Sequence, residues 1–204
     1  TLDYDTMKLM KQAGCRLRVA GFESGNQHVL NEMHKGIKLD WTKEYVKNAN
    51  KAGLLIHGCF MVGNPGETKE TMEETFRLAL RLNTDTAQFF PLMVYPGTDA
   101  YAWAERNHYL VTKDWSEWIT TDGLHSCVIS LPEVSDKELV AFCDEARRKY
   151  YLRPAYIFAK LRQFVFNPGE RKRLIKAGTR FIRFLAKKGD LIMLLWFIII
   201  VAFL

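Results

Sequence analysis

The sequence has few cysteines, and their positions exclude the usual cysteine-based sites. Only four are present, at positions 15, 59, 127 and 143, and the gaps between them match no paired metal-ligand pattern. No signal peptide is visible at the start of the chain, so we expect free thiols in a reducing cytoplasm. The histidines show no metal-ligand spacing either, and we predict no metal site among the residues of this chain.

The sequence also lacks an apolar run long enough to span a membrane. The longest run, residues 191–204, has 14 residues, whereas a membrane-spanning helix needs about 20. Acidic residues are scarce just before it. Residues 169–190 hold eight basic and two acidic side chains, and residues 1–168 sum to zero charge. A neutral body with a basic end does not suggest a general nucleic-acid binder.

The basic end is typical of a helix that lies on an anionic membrane surface. Basic side chains would meet lipid headgroups while Phe181, Ile182 and Leu185 face the acyl chains. We therefore predict that residues 170–204 associate with the inner face of the membrane from the cytoplasmic side. The alternative is a helix docked on the protein's own core.

What the sequence does contain is a regular alternation of helices and strands. Apolar spacing predicts strands near 17–22, 54–62 and 86–95, each preceded by a helix. The helix before the second strand is expected to begin at the cap residue Asp40. Its predicted inner face consists of Trp41, Tyr45, Val46, Ala49 and Ala52. The run 54–62 is largely apolar, which is typical of a strand buried on both faces. This alternation indicates parallel βαβ units.

We predict three regions along the chain. Residues 1–106 contain the alternating helices and strands. Residues 107–168 form a helical extension, in which Ser135 and Glu138 make a capping box. The sequence Asn167-Pro168-Gly169 then breaks the chain, and residues 169–204 form the basic helix and the apolar tail.

Three polar, glycine-rich turns follow the predicted strands. They are Gly-Phe-Glu-Ser-Gly at 21–25, a turn within 58–68 that ends Gly-Asn-Pro-Gly-Glu-Thr, and Tyr-Pro-Gly-Thr at 95–98. Ligands of parallel α/β barrels bind at the carboxyl ends of the strands. Glycine lets a ligand approach the backbone closely, and Glu23 and Ser24 offer hydrogen-bonding oxygens. A ligand pocket is therefore expected at this edge, with ordinary turn chemistry as the alternative.

The three turns, in this order and spacing, resemble the fourth, fifth and sixth strands of the radical S-adenosylmethionine (SAM) fold. They are similar to the branch that usually carries an N-terminal cobalamin-binding domain. The match covers residues 1–105 and continues more loosely to about 168. The Leu-Asp-Tyr opening, the first turn and the tail look most like the hopanoid-biosynthesis-associated members, and magnesium-protoporphyrin cyclase-like members are close in pattern.

This resemblance implies an α/β fold, namely the C-terminal half of a partial (β/α)6 TIM-like barrel followed by a helical region. The chain begins at Thr1 rather than Met, and we expect a piece of a longer protein whose remaining strands precede it. The residues that the resemblance places around SAM lie at the strand ends and are Glu23, Ser24, Gly63, Pro65, Gly66, Tyr95, Pro96 and Gly97. The first two would face the ribose or methionine part, and the others would lie along the adenine, with Glu67 supporting their loop.

The resemblance also implies the chemistry. Members cleave SAM at a [4Fe–4S] cluster to give a 5′-deoxyadenosyl radical, while the protein orients the cofactor and excludes water. The expected substrate is a hydrophobic small molecule or lipid, such as a hopanoid, and no catalytic residue is assigned in this chain. The family's Cys-x-x-x-Cys-x-x-Cys motif is missing here, and a cluster needs such thiolates. The cluster ligands, and a cobalamin domain if the parent uses one, are therefore expected upstream of Thr1.

Some residues have open roles. Without the cluster motif this chain is not expected to turn over alone, and a non-catalytic, membrane-associated barrel remnant or interaction module is the alternative function. Cys59 is predicted to pack in the core. His57 either lines the barrel or packs as a hydrogen-bonded histidine. Core or interface packing is expected for Trp115 and Trp118, with a substrate entrance as the alternative.

Overall fold

A computed structural model describes residues 2–119 and 126–187, and the apolar run 191–204 lies outside this description. The chain divides into two compact units, residues 1–147 and 148–204. Residues 107–147 therefore belong to the unit that contains the sheet. The break at 167–169, where we expected a domain boundary, lies inside the second unit.

The first unit alternates helices and strands up to its third strand. Its elements are α1 (Tyr4–Gln12), β1 (Leu17–Glu23), α2 (Gln27–Glu32), α3 (Leu39–Lys51), β2 (Leu55–Val62), α4 (Lys69–Leu82), β3 (Thr86–Pro91), α5 (Asp99–Arg106), a 3-10 turn (Trp115–Trp118) and α6 (Asp136–Tyr151), which continues into the second unit. The second unit also contains α7 (Pro154–Phe166), a 3-10 turn (Pro168–Glu170) and α8 (Arg171–Lys187).

The three strands form a parallel sheet in the order β1-β2-β3, which confirms the predicted α/β class. β3 is shorter than predicted and ends at Pro91, opposite Val62. Leu92 still donates its amide to the Val62 carbonyl at 2.7 Å. Beyond that point the neighbouring strand has ended, since the backbone turns at Gly63 with φ of 91°. Residues 93–95 consequently have no partner strand to pair with.

Helices cover one face of the sheet. Along β2, Ile56, Gly58, Phe60 and Val62 are buried, and the residues between them are half-exposed. The prediction that this strand is buried on both faces was therefore wrong. The alternation is that of a sheet with one packed face, and we call the other side, with His57, Cys59 and Met61, the open face.

A row of stacked phenylalanines crosses the packed face. The ring centroids of Phe22 and Phe60 lie 5.7 Å apart, and those of Phe60 and Phe89 lie 5.3 Å apart. All three side chains are buried. Burying one such ring contributes roughly 1.5–3 kcal/mol, and stacked pairs add about 0.5–1.5 kcal/mol. The row links the three strands and fixes their register.

The helices α3 and α4 begin in different ways. The Thr68 side chain accepts a hydrogen bond from the Thr71 amide at the start of α4. Asp40, in contrast, lies inside the first turn of α3, and the residue at the cap position has no side-chain cap. The Leu39 amide instead donates to Oε1 of Gln27 at 3.1 Å. A partner twelve residues away replaced the local cap.

The inner face of α3 agrees with the prediction in part. Val46 and Ala49 are buried as predicted, and Thr42 is buried beside them. Trp41 is exposed, and Tyr45 is half-buried with its ring against the edge of Phe22 at 6.2 Å. Trp41 is therefore the one residue of the predicted inner face that is exposed.

The extension after α5 packs on the loop that follows β2. A Cβ added at Gly63 would lie 3.0 Å from Ile129 and 3.1 Å from Leu139. The predicted capping box is present at the start of α6, where Glu138 accepts from the Ser135 amide and hydroxyl. Lys69, in the first turn of α4, donates to Glu138 at 2.7 Å. The extension thus holds α4 and the adjoining loop.

The second unit is formed by α7 and α8 together with the end of α6. Phe181 of α8 contacts the ring of Tyr151 at a centroid distance of 5.3 Å, and Leu185 is completely buried. These two side chains, which we expected to face lipid, are packed within the protein. Of the described helices, none is long and apolar enough to cross a membrane.

Gly25 lies where the loop after β1 crosses α4. A Cβ at this position would lie 2.3 Å from the carbonyl oxygen of Glu74 and 2.7 Å from the Cα of Thr75. These are backbone atoms of α4, which cannot move without displacing the helix. Only glycine allows this approach of loop and helix.

We predict that Gly25→Ala lowers the free energy of unfolding by about 2 kcal/mol or more, because overpacking against a backbone cannot relax through a side chain. Gly21→Ala is the matched control. Its added Cβ would meet the Oε1 tip of Glu23 at 2.3 Å, and a flexible side chain can swing away. Urea denaturation of the full chain, followed by circular dichroism, measures both. Equal loss of stability in the two variants would contradict this packing analysis.

Candidate functional site

All three strands end at the same edge of the sheet. Because the strands are parallel and in register, the end of β1 at Glu23 lies opposite Phe60, and the end of β2 at Val62 lies opposite Pro91. The three glycine-containing turns leave from this carboxyl edge, which we call the rim. The third turn, residues 95–98, lies a few residues beyond the end of β3 at Pro91.

Glu23 has an unusual backbone at the rim. A β-bulge interrupts the pairing between Gly21 and Glu23, and Glu23 adopts a left-handed φ of 61°. Its carboxylate folds back over Gly21 and accepts a hydrogen bond from Nζ of Lys35 at 2.8 Å. A non-glycine residue in this conformation costs about 1–3 kcal/mol and recurs at functional sites. The bulge therefore turns the carboxylate toward the open face.

Ser24 occupies a different environment from Glu23. Its side chain is completely buried, and its hydroxyl lies 3.2 Å from the Thr75 hydroxyl and accepts from the Asn26 amide at 3.1 Å. The Gly25 amide donates to the same threonine oxygen at 2.9 Å. Ser24 thus anchors the first loop on α4, and of the two polar side chains predicted here Glu23 is the one that reaches the open face.

The second loop is organised by a buried carboxylate. Glu67 is only 5% exposed. It accepts from the Asn64 side chain at 3.1 Å, from the Asn64 amide at 3.4 Å and from the Thr71 hydroxyl at 2.8 Å. Burial raises the pKa of Glu67, and these hydrogen bonds oppose the shift. Oδ1 of Asn64 is buried and has no hydrogen-bond partner among the described residues.

The glycines of the second loop face different neighbours. Gly63 is buried against the extension, as described above, and Gly66 is exposed beside His28 and Glu32 of α2. Pro65 between them is half-buried. Both glycines have positive φ, 91° and 76°, which a side chain would disfavour. Gly66 and Pro65 therefore present the accessible backbone of this loop.

The third loop is exposed. Tyr95 begins a turn in which the Thr98 amide donates to the Tyr95 carbonyl at 3.1 Å. Pro96 and Gly97 occupy its two central positions, and φ of 82° at Gly97 is the conformation that a type II turn requires there. Nothing lies within 4 Å of a Cβ at Gly97. The Tyr95 side chain is 51% exposed.

The open face continues the site below the rim. His57 lies 2.7 Å from the Thr86 hydroxyl through Nδ1 and 3.4 Å from Oε1 of Gln88 through Nε2. Cys59, one step closer to the rim, is half-exposed rather than in the core, so its predicted placement was wrong. Its pKa is raised by burial and by the nearby Glu23 carboxylate. Polar side chains of neighbouring strands thus share this face.

Sequence reasoning missed Lys35, Thr86 and Gln88. The two strand residues carried a usable signal, because they alternate with the buried Ala87 and Phe89 along β3 and alternation assigns them to the opposite face. Lys35 carried none. It reaches Glu23 across twelve positions, through a turn where His34 has a φ of 53°.

The cysteines do not form a cluster site. Throughout residues 2–119 and 126–187, no group of His, Cys, Asp or Glu is arranged to hold a metal ion. Burial raises the pKa of Cys127 to about 11 and that of Cys143 to about 12, so both remain thiols at neutral pH. Iron–sulfur clusters are bound by thiolates. The described residues therefore do not fit a [4Fe–4S] cluster.

Comparisons with known proteins agree with this geometry. Residues 1–79 match the model of the Radical SAM superfamily. An uncharacterized methyltransferase of Pyrococcus horikoshii is 34% identical over 154 residues, which is 76% of this chain and 33% of that protein. Cytidylyl-2-hydroxyethylphosphonate methyltransferase of Streptomyces wedmorensis is 26% identical over 69% of this chain and 27% of its own length. The chain thus spans about a third or less of these relatives.

A solved structure shares the fold. It is the radical SAM methyltransferase TsrM from Kitasatospora setae, with cobalamin and a [4Fe–4S] cluster bound. The TM-score is 0.55 at 18% identity, over 76% of this chain and 35% of that one. The sheet and helices described here therefore follow the barrel architecture that the sequence predicted.

We predict that Glu67→Gln stabilises the chain relative to the wild type as the pH rises above 4.5. The raised pKa of Glu67 means that the folded state holds its proton more tightly than the unfolded state. Its stabilising contribution is present at low pH and is lost as the pH rises through the folded-state pKa. Urea denaturation of both proteins from pH 4 to pH 8 measures the difference. A pH-independent difference would contradict the assignment of Glu67 as a desolvated carboxyl.

Proposed function

We propose, on the premise that this chain belongs to the radical SAM superfamily, that its rim forms one side of the SAM pocket of a radical enzyme. The proposal is supported by the common carboxyl edge of the three parallel strands, which the three loops follow. Had the loops emerged at opposite edges, they could not have touched one ligand. Because the chain spans only part of its relatives, the activity proposed is that of the whole protein.

Glu23 is the proposed polar anchor for SAM. SAM presents an ammonium group and two ribose hydroxyls, and a carboxylate accepts hydrogen bonds from either. Glu23 already binds a cation, the Lys35 ammonium, on the open face. Ser24 contributes by holding the loop on α4. The carboxylate is thus oriented before the ligand arrives, which reduces the ordering cost of binding.

The remaining predicted residues are proposed to line the adenine. Exposed backbone at Gly66 and Gly97 allows a flat base to approach closely, and the exposed ring of Tyr95 offers a stacking surface. Pro65 and Pro96 stiffen the two loops through their fixed φ. Gly63 would contribute indirectly, because its packing on Ile129 and Leu139 positions the loop.

Members of this superfamily use SAM together with a [4Fe–4S] cluster, which supplies the electron that cleaves SAM. We propose that the ligands of the cluster lie in the part of the parent protein upstream of Thr1. We propose cobalamin binding only for the parent protein, and we assign no cobalamin site among the described residues. The role of this chain is to bind SAM, orient it and keep water from one side of the pocket.

The proposed substrate is a hydrophobic molecule, bound along the open face below SAM. Val19, Met61 and Phe90 give this face apolar area, and His57 and Gln88 supply hydrogen-bonding groups. Relatives include bacteriochlorophyllide methyltransferases of Chlorobaculum tepidum and an anaerobic magnesium-protoporphyrin IX monomethyl ester cyclase of Cereibacter sphaeroides. Their names describe large tetrapyrrole substrates. Within this class of hydrophobic molecules, we propose a hopanoid lipid as the substrate.

We also propose that the protein works at the cytoplasmic face of a membrane. α8 exposes six basic residues within 13 positions, and these are Arg171, Lys172, Arg173, Lys176, Arg180 and Arg183. A basic amphipathic helix of this kind is attracted to anionic lipid. A hydrophobic substrate dissolved in the bilayer would be reached from such a position.

We predict that Glu23→Gln in the parent protein weakens SAM binding about tenfold, since a hydrogen bond to a charged group is worth about 1.5–3 kcal/mol. Equilibrium dialysis of the anaerobically reconstituted protein measures the affinity. Glu44→Gln, an exposed glutamate on α3, is the control and should leave binding unchanged. Equal affinities of the wild type and Glu23→Gln would remove Glu23 from the site.

Gly21→Ala provides an independent test of the same carboxylate. The added methyl group occupies the place of the Glu23 Oε1 atom, so SAM binding should weaken about as much as in Glu23→Gln while the protein stays folded. The reconstituted parent should also release 5′-deoxyadenosine when reduced in the presence of SAM. A fully loaded, reduced protein that forms none would overturn the proposed reaction.

A further inference from the structure

The charge of the protein is divided between its two compact units. Residues 1–147 carry 16 basic and 21 acidic side chains, for a net charge of −5. Residues 148–187 carry twelve basic side chains and a single acidic one, Glu170, for a net charge of +11. Glu170 is buried and pairs with Arg173 at 3.1 Å. The exposed charge of the described second unit is therefore entirely basic.

Helix α7 of this unit is apolar on two opposite sides. Its half-buried side includes Tyr156, Ile157 and Leu161. On the other side, residues at helical spacing are all exposed, and they are Ala155, Phe158, Ala159, Arg162, Val165 and Phe166. We call this set the α7 arc. A helix that is apolar around its circumference is normally covered on all sides, and within the described part of its own unit the arc is exposed.

The exposure of the α7 arc is large. Phe158 is 70% exposed, Phe166 is 78% exposed and Val165 is 57% exposed. Two phenylalanines and a valine in this state differ from the scattered single apolar residues of ordinary surfaces. The one charged member of the arc, Arg162, is basic. The arc therefore combines apolar area with the charge sign of the whole unit.

Basic side chains border the arc at its C-terminal end. Arg171 donates to the carbonyls of Phe164 and Val165 at 2.9 and 3.1 Å, and its guanidinium lies over the Phe164 ring at 5.5 Å. One turn further along α8, Ile175 is 59% exposed. Exposed aromatic and aliphatic side chains flanked by arginine and lysine are typical of segments that enter the headgroup region of a bilayer.

We propose that the α7 arc is the element that inserts into an anionic lipid surface, with the basic residues of α8 supplying electrostatic attraction. Charge complementarity selects this occupant, because a net charge of +11 opposes a second copy of the same unit and favours an anionic bilayer. The inference rests on the membrane association proposed above. It differs in naming α7, which precedes the predicted segment 170–204, as the site of insertion.

The test is flotation of the full chain with vesicles of two compositions. One is phosphatidylcholine alone, and the other is an equimolar mixture of phosphatidylcholine and phosphatidylglycerol. The wild type should float with the mixed vesicles and much less with phosphatidylcholine. The triple variant Phe158→Ser, Val165→Ser, Phe166→Ser should bind the mixed vesicles at least about tenfold more weakly, since three large apolar groups no longer leave water.

Two controls separate insertion from other effects. The triple variant Leu9→Ser, Val111→Ser, Val140→Ser removes three exposed apolar residues from the first unit and should bind as the wild type does. Phe158→Trp should bind more tightly than the wild type, because tryptophan favours the membrane interface. A loss of folding could weaken binding in the serine variant, but it could not produce this gain.

The outcomes are distinguishable. A wild type that does not float with either vesicle would refute the proposed membrane association itself, and this inference with it. A wild type that floats while the α7 serine variant floats equally well would overturn the role of α7 and leave the segment 170–204 as the membrane contact. Sedimentation equilibrium tests whether the α7 arc instead joins two copies of the chain. If the wild type is a dimer that the serine substitutions dissociate, and flotation does not change, the proposal is overturned.

Discussion

The stacked rings of Phe22, Phe60 and Phe89 hold three parallel strands in one register, and the position of the rim follows from that register. Side chains of a strand alternate between faces, so a slip of one residue would move an entire strand's set to the opposite face. Such a slip in β2 would bury His57 and Cys59 and expose Phe60. The aromatic row therefore determines which residues can meet a ligand on the open face, although its own side chains are buried on the packed face.

Helix α4 is the second organising element. The first loop is tied to Thr75 through Ser24 and Gly25, and the second loop is tied to Thr71 through Glu67. Both attachments use buried polar groups that are hydrogen-bonded, as burial requires. At Glu67 the hydrogen bonds do not fully offset the cost of burying the carboxylate, and its pKa is therefore raised. Loops fixed in this way can present backbone to a ligand without first becoming ordered.

The sequence predicted the elements better than their environments. Apolar periodicity located the three strands, and parallel order followed from their alternation with helices, so the common edge could be expected. The open face could not, because an apolar strand reads the same whether one or both of its sides are packed. Ser24 was likewise expected to face a ligand. Its side chain instead points inward to Thr75, and the position of Thr75 could not be read from the local sequence. Asp40 is not the cap because the helix begins one residue earlier, at Leu39, whose amide donates to the sequence-distant Gln27.

The packing of Ile129 and Leu139 against Gly63 sets a lower limit on the size of a functional piece. A fragment ending after α5 would retain every strand and every residue assigned to the rim. It would nevertheless lose the two side chains that press the second loop into place, together with the Lys69–Glu138 ion pair. The segment needed to hold the second loop thus ends about forty residues after Gly97, the last residue assigned to the rim.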